Sequence, residues 1–129
     1  MWKMKRCFVS LDLPKSVVRE VINIQEILRK KDFFVGKYTR EENIHLTLKF
    51  LGEIEDEKIE EVRKRLSRIS FERLNVIFSE VGVFSEKFVR IIWVRLVSHD
   101  LYKLQRKIDL ALSGLFENER SFMGHITIA

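Results

Sequence analysis

The sequence predicts an α+β fold with largely antiparallel strands. Three observations predict it. Short runs alternate apolar and polar residues with period two, at 6–13, 44–51 and 121–129. Three longer stretches, from 15, 56 and 98 onward, repeat apolar residues at helical spacing. The two kinds of pattern alternate along the chain without a Pro-, Gly- or Ser-rich linker between them. With 129 residues, 46 % of them hydrophobic, the chain is expected to form one domain over 1–129 with its own core.

Residues 6–13 read as a half-buried strand, with Cys7, Val9, Leu11 and Leu13 on one face and Arg6, Phe8, Ser10 and Asp12 on the other. Pro14, the only proline, suits the first position of a helix, where its missing N–H is not needed. Val17, Val21, Ile24 and Leu28 then form the inward stripe of a helix over 15–31. A short extended piece is expected at 34–38 and a strand at 44–51. Asp56 is the expected N-cap of the second helix, with Ile59, Val62, Leu66 and Ile69 inward. Its acidic start (Glu57, Glu60, Glu61) and basic end (Arg65, Arg68) complement the helix dipole. Strands follow at 74–84 and 89–97, joined by a turn that includes 85–87. Ser98 or Asp100 caps a third helix with Leu101, Leu104, Ile108 and Leu112 inward, and Gly114 stops it. Residues 121–129 are the expected final strand.

The formal net charge of +5 favours an anionic partner, nucleic acid first, although a basic solvated surface explains it equally well. One cysteine, Cys7, excludes an internal disulfide and points to a reducing cytoplasm. Cys7 itself reads as a small buried hydrophobe. The N-terminal apolar run is too short and interrupted for a signal peptide, and no segment is long enough to span a bilayer.

Two fragments carry the chemistry. In IHLTLKF (44–50), His45, Thr47 and Lys49 share one face of a strand, and Ile44, Leu46, Leu48 and Phe50 the other. In HITIA (125–129), His125 and Thr127 face one way and Ile126 and Ile128 the other. The apolar faces go to the core, so the histidines and threonines face out. The chain holds three histidines and three threonines, and two of each fall in these fragments. Each half thus brings paired strands, a long helix and one histidine-x-threonine pattern. Two imidazoles on one cleft form a general acid–base pair, because histidine takes and gives protons near neutral pH. The two hydroxyls can donate to the non-bridging oxygens of a phosphate, with Lys49 adding charge at the rim. Such a group suits in-line displacement at phosphorus and requires no metal. A zinc site needs a third ligand, and no Cys/His cluster supplies one. His99 reads as an exposed residue near a helix cap.

On RCFVSLDLP (6–14), ENIHLTLKFLGE (42–53), RIIWVRL (90–96) and HITIA (125–129), the chain resembles the 2H phosphoesterase superfamily and its RNA 2′,3′-cyclic phosphodiesterase, or 2′-5′ RNA ligase-like, branch. The resemblance implies two pseudo-symmetric α+β lobes with helices outside and a central cleft carrying both histidine-x-threonine motifs. It implies hydrolysis of RNA 2′,3′-cyclic phosphate ends to 2′-phosphates, with no cofactor. Some members join RNA halves, tRNA halves among them, through a 2′-5′ bond without ATP. Carried over, His45 is the proton donor to the leaving ribose oxygen, His125 the base that activates water, and Thr47 and Thr127 the phosphate holders. Alternative functions are a non-catalytic RNA-binding module of the same fold, or a related enzyme acting on another cyclic or 2′-5′ linked nucleotide. Arg6, Phe8, Lys37, Tyr38, Lys49 and Arg90 are further residues suited to gripping RNA. Two departures stand out. Gly124 occupies a position where the family usually has proline, and a glycine there is expected to loosen the backbone before His125. Relatives also continue past the position of Ala129 with an arginine and further strands. The sheet is therefore expected to keep an unpaired edge and to favour a homodimer.

Overall fold

The computed structural model describes residues 3–31, 36–83 and 92–129. The chain runs β1 (Met4–Leu11), α1 (Lys15–Lys31), a 3₁₀ turn (Glu41–Asn43), β2 (Leu46–Glu55), α2 (Asp56–Leu66), β3 (Ile77–Val83), β4 (Ile92–Val97), α3 (His99–Ala111) and β5 (His125–Thr127). Among the described residues, five strands form one antiparallel sheet in the order β1-β2-β5-β4-β3. The α+β class holds, and its two halves meet where β2 pairs with β5.

That pairing is narrow. Among the described residues, Leu46 opposite Ile126 is the single residue pair in the β2–β5 register. Both are fully buried, at 1 % and 0 % exposure. They join Leu48, Val94 and Leu96 from the sheet, Ile128 just after β5, Val21 from α1, Val62 from α2, and Leu101, Leu104 and Ile108 from α3 with its C-cap Leu112, in one core. Burying each such aliphatic side chain contributes about 1.5–3 kcal/mol. The expected inward stripe of α3 is buried at all four positions. In α1 the deepest residues are Val21 and Gln25. Gln25 Nε2 donates to the carbonyls of Thr39 (2.9 Å) and Ile128 (3.0 Å), so a polar side chain in the core ties the segment after β5 to the segment before β2.

Of the two expected caps of α3 the structure selects one, and several boundaries differ from expectation. Ser98, not Asp100, caps α3: its Oγ accepts from the Leu101 N–H at 3.1 Å, whereas Asp100 accepts from the Asn75 N–H at 3.3 Å. Asp56 is the first helical residue of α2, behind a Glu55 that makes no side-chain cap bond. Asp56 instead pairs with Lys5 at 3.1 Å. Residues 121–124 do not belong to β5, which begins at His125. Beyond Thr127 the ladder with β4 continues through Ile128 N–H to Ile92 O (2.7 Å) and Ile92 N–H to Ala129 O (3.0 Å). Residues 36–38 form no strand, and 34–35, like the turn at 85–87, lie outside the described residues. Cys7 is half-buried rather than buried. Among the described residues no helix is long and apolar enough to cross a membrane.

Candidate active site

Leu46 and Ile126 point into the core, so period-two alternation sends their neighbours to the opposite face. Extending the antiparallel register by one residue sets His45 across from Thr127 and Thr47 across from His125. A local twofold axis between Leu46 and Ile126 therefore relates the two histidine-x-threonine fragments. The histidines lie diagonally across the seam, at a separation of about 7–8 Å for such positions. All four side chains are half-buried.

Each ring is oriented in the same way. His45 Nδ1 lies 2.7 Å from the carbonyl of Asn43, and His125 Nδ1 lies 2.9 Å from the carbonyl of Met123. A carbonyl can only accept, so Nδ1–H is the donor in both rings. In the neutral imidazole this assigns the basic lone pair to Nε2. The carbonyl two residues upstream thus selects the tautomer twice, once on each side of the axis.

β1 supplies one wall. Phe8 stacks on His45 with centroids 5.1 Å apart and planes at 26°, and its ring meets Phe50 at 6.1 Å. Both phenylalanines are exposed, at 44 % and 67 %. Their position depends on a break in the β1–β2 register. Val9 pairs with Lys49 and Ser10 with Thr47, so β2 has one residue more than β1 there. The extra residue reverses the alternation. Phe50 comes out onto the site face, and Lys49 turns into the core.

Lys49 therefore does not add charge at the rim of the cleft. Its side chain is 2 % exposed, and Nζ pairs with Asp109 of α3 at 2.6 Å and with the carbonyl of Glu117. Asp109 also accepts from the Glu119 N–H at 3.1 Å. This buried pair pins the segment between α3 and β5. From that segment Glu119, Ser121, Phe122 and Met123 join Thr47, Phe50 and His125 around a pocket of about 180 Å³. Larger concavities lie against α2 and α3 and hold no histidine.

Gly124 is not a loose joint. A Cβ there would come within 2.7 Å of Leu101 Cδ2 and 3.2 Å of the Leu96 carbonyl. Its own carbonyl accepts from the Leu96 N–H at 2.8 Å. Glycine is present because α3 and β4 approach closely, and this packing holds the backbone before His125.

Of the other residues named for RNA contact, Arg6 and Lys37 are exposed, Tyr38 is half-buried under the Arg29 guanidinium (4.4 Å), and Arg90 lies outside the described residues. His99 is exposed at the start of α3. Sequence patterns gave no sign of Glu119, Ser121 or Phe50 at the site, because each arrives through the loop before β5 or through the register break. Among the described residues no three His, Cys, Asp or Glu side chains gather to hold a metal ion.

Residues 11–93 match the family described as LigT like Phosphoesterase. The chain belongs to that family. The RNA 2′,3′-cyclic phosphodiesterase of Methanocaldococcus jannaschii is 31 % identical over 125 residues, which cover 95 % of this chain and 69 % of that protein. The protein of the same name from Thermotoga maritima is 34 % identical over 128 residues, covering 95 % and 68 %. Among solved structures, Escherichia coli LigT complexed with 3′-AMP superposes with a TM-score of 0.70 at 26 % identity, covering 98 % of this chain and 71 % of that one. This LigT-like phosphoesterase thus shares its fold across nearly its whole length with proteins of which it spans about 70 %.

Proposed function

We propose that this chain hydrolyses the 2′,3′-cyclic phosphate end of RNA to a 2′-phosphate, using His45 and His125 as an acid–base pair. The observation that carries the reading is the twofold placement of two histidine–threonine pairs, each imidazole oriented by the carbonyl two residues before it. The names of the M. jannaschii and T. maritima relatives support the substrate class. A water oxygen attacks phosphorus and the bond to O3′ breaks in line. His125 takes the water proton through Nε2, and a protonated His45 gives one to O3′. Thr47 and Thr127 donate hydrogen bonds to the non-bridging oxygens. The Phe8 stack and the Asn43 carbonyl hold His45 in place, so little orientation is left to fix when substrate binds. With the 5′-hydroxyl of a second RNA in place of water, the same displacement forms a 2′-5′ bond.

The test is incubation with a short RNA ending in a 2′,3′-cyclic phosphate, with EDTA present, followed by identification of the product end. A 2′-phosphate is expected. His45→Ala or His125→Ala should each reduce turnover by roughly 10²-fold or more with the fold retained. A 3′-phosphate product, or near-wild-type turnover in either variant, refutes the mechanism. RNA binding that weakens with salt, with no product from folded protein, would instead identify a binding module.

A further inference from the structure

The proposed reaction sets a phosphodiester anion over the β2–β5 seam. The four side chains facing it there include no permanent cation, and Lys49 is committed to Asp109 on the other face. Arg95 of β4 stands directly opposite His125 in the β4–β5 ladder. Directly opposed residues rise from the same side of a sheet, with Cα atoms about 4.5–5.5 Å apart. Among the described residues, Arg95 is thus a cation beside His125.

Its guanidinium is only partly engaged. One nitrogen, Nη1, lies 3.3 Å from Glu80, and the two side chains are 40 % and 56 % exposed. Tyr102 is its other polar neighbour. Nε is buried and has no hydrogen-bond partner among the described residues. An exposed pair of that length holds weakly and gives way to a stronger anion. A buried, unpaired N–H is costly and calls for a reason.

We propose that Arg95 is a phosphate-binding residue of this site. It exchanges Glu80 for the non-bridging oxygens of a phosphorylated nucleotide end and presents Nε with one Nη as a two-pronged donor. The exchange satisfies the orphaned Nε and supplies the charge that two neutral threonines lack. The inference rests on the phosphodiesterase reading for the identity of the ligand, but phosphate binding itself needs no turnover.

The experiment is a titration of the purified chain with inorganic phosphate at fixed ionic strength, followed by the NMR signals of the His125 ring. Arg95→Met keeps the apolar stem and removes the donors, and thermal unfolding checks its fold. Phosphate affinity should fall about tenfold or more in Arg95→Met, the weight of one charge-assisted contact. Arg95→Lys should recover part of it, since the charge returns without the fork. Glu80→Gln, which removes the competing carboxylate, should bind phosphate as well as the wild type or better. Unchanged affinity in Arg95→Met overturns the proposal. So does an equal loss in Arg95→Met and Glu80→Gln, which would make the pair a structural strut. Turnover of the cyclic-phosphate RNA is measured in parallel. A wild-type chain that binds phosphate through Arg95 but turns nothing over refutes the phosphodiesterase reading and leaves this one standing.

Discussion

Replacing Asp109 by alanine should be among the most damaging single changes in this protein. The side chains of Lys49 and Asp109 are 2 % and 9 % exposed, and their charged atoms lie 2.6 Å apart. The substitution leaves the ammonium facing one carbonyl, that of Glu117, and strips the Glu119 N–H of its acceptor. Breaking a buried pair from one side costs about 3–5 kcal/mol, because the remaining charge is uncompensated. That is a large part of the roughly 5–15 kcal/mol expected for a domain. Unfolding entropy of about 2.1 cal/mol/K per residue, over 129 residues, gives about 0.27 kcal/mol per degree. The midpoint should therefore drop by about 11–18 °C. Urea unfolding followed by circular dichroism measures the loss directly, with an unchanged slope indicating the same folded and unfolded states. A double variant, Lys49→Met with Asp109→Ala, should recover part of this loss, since it removes the unpaired charge while the Glu119 N–H stays without its acceptor. A loss below about 1 kcal/mol in Asp109→Ala would mean the pair behaves like a solvated one, and the assignment of Lys49 to the core would fail.

Phe8→Ala should lower kcat roughly tenfold by releasing the His45 ring, while its exposed edge position limits the stability loss to about 1.5 kcal/mol; steady-state kinetics beside thermal unfolding separates the two. Gly124→Ala should destabilise by about 1–3 kcal/mol, because the added methyl must displace Leu101 and press on the Leu96 carbonyl; an unchanged midpoint would show that α3 yields freely. Ser98→Ala should cost about 0.5–2 kcal/mol through the lost N-cap bond to Leu101, seen as a lower urea midpoint with no change in KM.

The outward placement of His45, Thr47, His125 and Thr127 was legible because period two does its work locally. Leu46 and Ile126 had to be buried, and that alone turned His45, Thr47, His125 and Thr127 outward. The same rule failed three residues on. One extra residue in β2 opposite Val9 and Ser10 reverses the parity, and nothing in LTLKF marks where β1 will slip. Lys49 was consequently expected on the wrong face, and its partner Asp109 lies 60 positions away on another element. The α3 cap was readable to within two residues, since Ser98 and Asp100 are both good capping types; backbone geometry chose between them. Gly124 shows the opposite failure. A glycine read as freedom is a glycine required by crowding, and only the positions of Leu96 and Leu101 reveal it. Arg95 could not be singled out among 24 basic residues before its register with His125 was known.

The narrow seam between β2 and β5 has a kinetic consequence. β5 comes fifth in sequence but occupies the middle of the sheet, with β1 and β2 on one side and β3 and β4 on the other. Until it docks, the two pairs have no strand between them, and Leu46, paired with Leu11 of β1, has no neighbour on its other side. The closing contact joins residues 46 and 126, a long loop to close late, so the keystone strand and the assembled cleft should arrive in the same slow step. Regain of catalytic competence during refolding should then coincide with burial of Ile126 and lag behind the formation of α1 and the β1–β2 pair.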